Sequence, residues 1–534
     1  MREKLRNHPD TDFVDFLCNG LKFGFDTLVS STTLPTKECN NLMSAKTQPE
    51  IVSGLLREEC EKGYAYGPFL DAPFDCYRIS PIGVATGKYS GKKRLIIDLS
   101  APHNDSKHSS INDLINKEQC SLTYVKLDDA IKKISEVGTG AMLCKFDIKD
   151  AFKICPVRKD QWKLFCVRWE GLIYVLVRLS FGCRSSPKIF DALACSVCWI
   201  AENCYNIECI FHLLDDFLTI DTPNYDANIT YQSMLKLFQC LGIPLSTNKT
   251  VGPSTCLEYL GVILDSVKME ARLPADKILR IKTFIQELLR KRSCTKKELL
   301  QLLGHMNFAS RVILAGRSFV SYLLKLAASV KELHFFVHLN KLCREDLYMW
   351  VLFLENWNGV SLFYERNFTT SHDIYLHTDA ASTAGFAVVY GSHWIFSPWP
   401  SDMPGVPGDI WKNSMAFMEL YPIVAAAFVF GHEWRKKKIL FICDNTAVVS
   451  VLKKGRSKCP YIMKLMRKLT WLALTNGFYF SADYINTKLN ISADLLSRLQ
   501  VEKFKTLNPH ADQQPTHCPE PEVLLWGKMK DTLV

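Results

Sequence analysis

HLLDDFLTI, residues 212–220, sets two adjacent carboxylates, Asp215 and Asp216, between the apolar pairs Leu213-Leu214 and Phe217-Leu218. Apolar flanks of this kind suit two buried strands joined by a tight turn that presents the acids. Carboxylates desolvated side by side repel, and a bound cation removes that cost. The plain alternative is a solvated Asp-Asp turn, because acids are common in turns. Upstream, KFDIKDAF (145–152) puts Asp147 where an apolar strand-like run ends and the chain turns. Downstream, Asp379, Glu419, Asp444 and Asp494 form a second spaced set. Each set has the make-up of a site for two divalent ions about 4 Å apart that stabilise the attacking and leaving oxygens of a phosphoryl transfer.

Composition limits what these acids serve. The chain has 534 residues and 48% hydrophobic content, enough for three or four cores at roughly 100–200 residues per domain. Met1 to Asp12 is charged, and the longest apolar stretch, around Tyr421 to Phe430, reads as about half of a membrane span. A soluble intracellular protein of cytoplasm or nucleus is expected, without a membrane partner. Twenty cysteines lie scattered through apolar segments, which suits reduced, buried thiols. The net charge of +10 is uneven: from Ala271 to Asp346 there are 15 Lys/Arg against 6 Asp/Glu. A polyanion is the natural partner for such a stretch, with a solvated helical surface as the alternative.

The chain reads as six regions. Residues 1–48 are a lead-in, with Phe13, Val14, Phe16, Leu17 and Leu21 at helical spacing. Residues 49–270 alternate strand-like runs (93–100, 142–148, 172–179, 208–220 and 257–265) with helical ones, an α+β pattern. Residues 271–345 turn helical, with Ile278, Ile281, Phe284, Ile285 and Leu288 on one face and a capping box of Thr295 with Glu298. A connector covers 346–371. An α/β unit follows at 372–502, with strands in DIYLHTDA, AGFAVVY and KILFICD and helices over 415–433 and 460–475. Residues 503–534 hold several Pro and His without periodicity and read as a tail.

Read together, the segments resemble a retroelement reverse transcriptase. SPIGVATGKYSGKKRLIIDLS (80–100) is similar to the fingers segment, KFDIKDAF to the first catalytic motif and RLSFGCRSSPKIF (178–190) to the template-and-nucleotide motif. HLLDDFL resembles the second catalytic motif, LGIPLSTNKT (241–250) the lysine motif and LEYLGVILD (257–265) the primer grip. The resemblance implies that Asp147 and Asp215 bind two metals and that Asp216 completes the acidic site. It implies Lys88 and Arg94 at the triphosphate of an incoming nucleotide, and Lys249 near the leaving pyrophosphate. Phe152 would be a steric gate against a ribose 2′-hydroxyl, and Gly182, before the Ser186-Pro187 turn, would let the backbone approach template or nucleotide. Phe152 as a core aromatic, and Lys88 and Lys249 as solvated lysines, are the alternatives. Leu213 and Phe181 stand where relatives often carry an aromatic residue and Gln.

The second set resembles a ribonuclease H domain, through LHTDAASTAGFAVVY (376–390), MAFMELYPIVAA (415–426), KILFICDNTAVVSVL (438–452) and YINTKLNISADLLSRL (484–499). By that resemblance Asp379, Glu419, Asp444 and Asp494 hold two ions that activate water to cut the RNA of a hybrid. Tyr484 and Thr487 stand where relatives often have His and Gly, and Asn490 would hydrogen-bond locally ahead of Asp494. NHPDTDFVDFLCNGLKFGF (7–25), EKGYAYGPF (61–69) and LLGHMNFASRVILAGRSF (302–319) are similar to the DIRS-type class. The resemblance covers nearly all of 9–500; in that class a tyrosine recombinase follows, and the sequence here ends about 34 residues beyond the last motif.

The expectation is therefore an α+β polymerase right hand of fingers, palm and helical thumb, followed by an α/β ribonuclease H-like domain with a mixed sheet. Two Mg²⁺ per site, or Mn²⁺, would be the cofactors; RNA template, DNA primer, RNA-DNA hybrid and deoxynucleoside triphosphates would be the partners. The competing class is an inactive remnant that binds nucleic acid. A zinc module of Cys195, Cys198, Cys204 and Cys209 is set aside, because DALACSVCWIAEN has the apolar spacing of a buried helix whereas zinc ligand pairs usually sit on turns.

Overall fold

The run MLCKFD becomes a strand, Met142–Asp147, inside a four-stranded antiparallel sheet ordered 251–254, 142–147, 216–221, 210–213. Alternation puts Phe146 and Phe217 on a fully buried face, against Phe238 of the helix Ala227–Cys240. The opposite face carries Lys145, Asp147 and Asp216, since residues two apart share a face. The apolar face of the long helix Ser186–Tyr205 joins the same core through Ile189, Leu193, Ala194, Val197 and Ile200. These elements lie in the first of two compact units, Met1–Leu260 and Gly261–Val534. The computed structural model describes residues 1–87, 91–103, 105, 107–356, 361–363, 367–484 and 490–525.

The first unit also holds the hairpin Ile82–Thr86 with Lys93–Ile97 and a five-stranded sheet ordered 37–38, 78–79, 166–169, 172–176, 65–69. The lead-in is built into this unit. Helix Thr11–Phe23 starts at the Asp10 cap, and Leu5, Val14, Leu17 and Phe25 are buried in the core shared with the central sheet. The run 257–265, read as one strand, is interrupted by Leu260 and Gly261, both at positive φ (48° and 80°). The chain passes from one unit to the other at that break.

In the second unit the helix Ala275–Arg290 buries Ile278, Ile281, Ile285 and Leu288, as its spacing predicts. The capping box closes at both ends: Thr295 N donates to Glu298 Oε2 at 2.8 Å, and Glu298 N to Thr295 Oγ1 at 3.2 Å. Much of the basic charge here is tied into the fold. Lys282 pairs with Glu355, Lys291 with Glu298 and Arg280 with Asp276, while Lys296 and Arg344 donate to backbone carbonyls. Arg290, Arg292 and Lys297 remain exposed.

The expected mixed sheet is divided among the described residues. An antiparallel meander of 376–380, 385–390 and 393–398 forms one sheet, and a parallel set of 368–370, 438–443 and 479–484 forms another. The short 368–370 strand takes the pairing edge of 438–440, so the strand with Asp379 is not laddered to the strand before Asp444. Between the sheets' elements runs the helix Met415–Phe430, buried at most positions. With its 3₁₀ extension, Met415–Trp434 is long and apolar enough to cross a membrane by length and composition, more than the half span read from sequence, and it is 67% buried in the unit.

Two further elements depart from expectation. The tail contributes fully buried Phe504 and Leu524, from the helices Val501–Leu507 and Pro521–Leu524. The connector begins inside the helix Lys341–Asn356, whose fully buried Asp346 pairs with buried Arg467 of the helix Pro460–Asn476. Burial raises the Asp346 carboxyl to about 7, against the lowering effect of Arg467.

Candidate active sites

In the first unit Asp147 ends its strand and Asp216 begins the neighbouring one, and the two are direct cross-strand partners. Asp215 lies in the two-residue turn between 210–213 and 216–221, a hairpin as its flanks predict. The turn's other residue, Leu214, has φ +53°, a left-handed conformation that costs a leucine about 1–2 kcal/mol. Backbone bonds hold the constellation: Ile148 N donates to Asp215 O at 2.9 Å, and Ser246 N to Asp147 O at 2.7 Å. Strand pairing and a strained turn thus bring three carboxylates to one sheet edge.

Two ammonium groups answer them. Lys249 Nζ lies 2.9 and 3.1 Å from the two oxygens of buried Asp147, and Lys145 Nζ lies 3.3 Å from Asp216 Oδ1. Burial raises the Asp215 and Asp216 carboxyls, Asp147 raises both further, and the lysines oppose the rise. Hydrogen bonding to Asp147 raises the Lys249 ammonium. Lys249 therefore contacts the Asp147 carboxylate directly. Lys145 went unread in the sequence, although its place two residues before Asp147 in a strand was the available signal.

The expected nucleotide contacts are placed less uniformly. Arg94 is exposed on the Lys93–Ile97 strand, and Lys88 lies outside the described residues. Gly182 has φ +100°, and a Cβ there would fall 2.5 Å from Ile97 O. Its carbonyl accepts from Asn112 Nδ2 at 2.9 Å, and Asn112 Oδ1 accepts from Arg184 N. Close approach is therefore what this glycine permits, and the partner in contact is the chain's own backbone. Phe152 is only 7% exposed, packed between Phe190 and the exposed ring of Phe181 at centroid distances of 5.6 and 4.8 Å. That is the environment of a core aromatic with one neighbour at the surface.

In the second unit Asp379 sits on the strand Leu376–Ala380, Glu419 in the second turn of the Met415–Phe430 helix, Asp444 just after Lys438–Cys443, and Asp494 in the helix Ile491–Ser497. Their charges act on one another. Burial raises Asp379, and Asp494 and Asp444 raise it further. Burial also raises Glu419 to about 8, with added repulsion from Asp379 and Asp444. Ser497 Oγ donates to Asp379 Oδ2, and Arg498 Nε to Asp494 Oδ1 at 2.8 Å.

The Asn490 carbonyl accepts from Asp494 N at 3.0 Å, and among the described residues its side-chain Nδ2 donates to Thr378 O at 2.8 Å, which fastens the helix with Asp494 to the strand with Asp379. Tyr484 is 54% exposed and pairs in register with Cys443, the residue before Asp444. Thr487 lies outside the described residues. Both sets offer carboxylate oxygens alone, hard donors that fit Mg²⁺ or Mn²⁺, and both hold acids whose mutual repulsion a divalent ion would relieve. The four-cysteine module does not assemble: Cys204 Sγ donates to Lys4 O, while Cys195 and Cys198 face His212.

No known family profile matches the sequence, and no curated protein matches it. Solved structures of foamy viral protease-reverse transcriptase are similar in backbone course. One in complex with RNA/DNA hybrid is 14% identical, with 92% of this chain and 63% of that chain covered and a TM-score of 0.49. A form named dRH, in complex with double-stranded DNA, is 15% identical over 91% of this chain and 82% of that one, at a TM-score of 0.48. A third, also with double-stranded DNA, is 15% identical over 91% and 96%, at 0.47.

Proposed function

We propose that the chain is an RNA-directed DNA polymerase of a retrotransposon, of the DIRS type, that also cleaves the RNA of RNA-DNA hybrids. The observation that carries this reading is the pairing of Asp147 with Asp216 across adjacent strands, with Asp215 at the turn between them. Asp147, Asp215 and Asp216 in one unit and Asp379, Glu419, Asp444 and Asp494 in the other would hold Mg²⁺ or Mn²⁺, which supplies charge stabilisation for phosphoryl transfer. Lys249 holds a proton beside Asp147 and is placed to neutralise a phosphate arriving there. At the second site Glu419 keeps its proton to about pH 8 until a cation displaces it. Asn490 and Ser497 orient the Asp494 helix and the Asp379 carboxylate for the same reaction. RNA template, DNA primer and deoxynucleoside triphosphates are the substrates of the first site, and the hybrid that of the second.

Asp215→Asn should abolish primer extension on a homopolymer RNA template and spare hybrid cleavage, and Asp444→Asn should do the reverse. Loss of both activities in either folded variant would refute two independent sites. Hybrid binding by the unaltered chain without incorporation at any Mg²⁺ or Mn²⁺ concentration would instead establish a binding protein.

A further inference from the structure

Beside the catalytic hairpin, the helix Ser186–Tyr205 and the strand Ile210–Leu213 bring together a second set of ligands, with different chemistry. Asp191 and Cys195 are four residues apart and Cys198 three further on, so all three project toward one side of the helix. His212, on the facing strand, points its Nε2 at Asp191 Oδ1 (3.3 Å) and Cys195 Sγ (3.8 Å). Cys195 Sγ lies 3.9 Å from the other carboxylate oxygen, Asp191 Oδ2, and one ligand atom from each of the three residues lies within 4.8 Å of the others. On the other side of the ring, Nδ1 meets Cys198 Sγ at 3.3 Å, and Phe217 stacks on the imidazole face at 5.7 Å.

We propose that Asp191, Cys195 and His212 bind a borderline divalent cation of the zinc type, with Cys198 orienting the imidazole. The dimensions suit that ion. Zinc bonds of about 2.0–2.3 Å at tetrahedral angles set ligand-to-ligand edges of about 3.3–3.7 Å, against 3.3 Å from Nε2 to Asp191 Oδ1 and 3.8 Å from Nε2 to Cys195 Sγ, with the carboxylate's other oxygen 3.9 Å from that sulfur. The donor set selects against Mg²⁺, which avoids thiolate, and separates this site from the carboxylate-only sites. An acceptor on the far ring nitrogen is what fixes the tautomer of a ligating histidine; here Cys198 Sγ, 3.3 Å from Nδ1, would accept from Nδ1–H and leave the Nε2 lone pair to the ion.

Binding would release the protons that compete for Nε2 and for the Cys195 sulfur. Cys195 is exposed and Asp191 and His212 retain 19% and 16% side-chain exposure, which gives an ion a route in and leaves a fourth position to water. Since His212 lies three residues before Asp215, the ion would fasten the strand that delivers the hairpin to the helix beneath it. The site depends on this helix and strand alone, whatever the activity of the hairpin.

Cobalt reports such a site directly. The full chain, reduced with a phosphine, stripped with chelator and titrated with Co²⁺, should develop a thiolate-to-cobalt charge-transfer band and tetrahedral d–d bands at one equivalent, both removed by Zn²⁺. Cys195→Ser should remove the charge-transfer band, and Asp191→Asn or His212→Asn should weaken binding at least 100-fold. Cys198→Ala should keep the band with affinity about 10-fold lower, and Asp215→Asn should leave it unchanged. A folded chain that gives no thiolate band, or one whose band survives Cys195→Ser, would overturn the proposal and leave His212 as an imidazolium paired with Asp191.

Discussion

The two carboxylate sets differ in how they are neutralised. In the first unit Asp147 and Asp216 each face an ammonium of the chain, from Lys249 and Lys145. In the second, the partners among the described residues are a hydroxyl on Asp379 and an exposed arginine on Asp494, while Glu419 lies 8% exposed and repelled by Asp379 and Asp444. The first site thus carries ammonium counter-ions of the chain, while at the second Glu419 is raised to about 8. The pH dependence of the second should be the steeper of the two.

The largest effects should come from the carboxylates themselves. Asp147→Asn and Asp379→Asn should each lower one activity by about 10²–10³-fold or more, as when a preorganised electrostatic group is lost; single-turnover extension and hybrid-cleavage assays separate them. Equal losses in both assays from one substitution would erase the contrast.

The pH response comes next. Glu419 has a folded-state value of about 8, above its ordinary 4.5. A carboxyl raised on folding contributes stability that is fully present below its unfolded value and is lost as pH rises through its folded value. Without divalent ions the second unit should therefore lose thermal stability between about pH 4.5 and 8, and Glu419→Gln should flatten that loss. Mg²⁺ should stabilise the unaltered protein more at pH 8 than at pH 6, because fewer protons then compete, and scanning calorimetry at both pH values measures the difference.

Smaller effects refine the comparison. Ser497→Ala removes the hydroxyl that Asp379 accepts, a loss of about 1–3 kcal/mol for a half-buried charged acceptor, read as a lower unfolding midpoint with hybrid cleavage reduced. Lys249→Met should cost less than about 1 kcal/mol in stability, since the side chain is 60% exposed and screened. It should also tighten Mn²⁺ binding at the first site by removing a competing cation, which a fluorescence titration would detect.

What the sequence revealed was local. Helical spacing placed Ile278, Ile281, Ile285 and Leu288 on the buried face, a capping box marked Thr295, and apolar flanks marked the hairpin at Asp215 and Asp216. The positions of the acids on their strands and helices followed from the same signals. Distant pairing was not legible. The DALACSVCWIAEN run looked simply apolar, because the histidine that faces Cys195 comes from another element. The division of the second unit's sheets depends on Phe368–Thr370 reaching the 438–443 edge, a competition between strands that no single segment reports. Phe504 and Leu524 show why lack of periodicity misled at the tail: one buried side chain per short helix anchors a segment without making a pattern.

The pairing of Asp346 with Arg467 bears on how the molecule can be dissected. A fragment designed to begin at the ribonuclease H-like motifs, near residue 372, would discard Asp346 together with Phe319 and Tyr322, whose rings lie 4.9 and 4.8 Å from the Arg467 guanidinium, and so open to solvent a side chain that is 4% exposed in the full chain. An expression boundary before Lys341 would keep the helix that carries Asp346, and with it the electroneutrality of that interior.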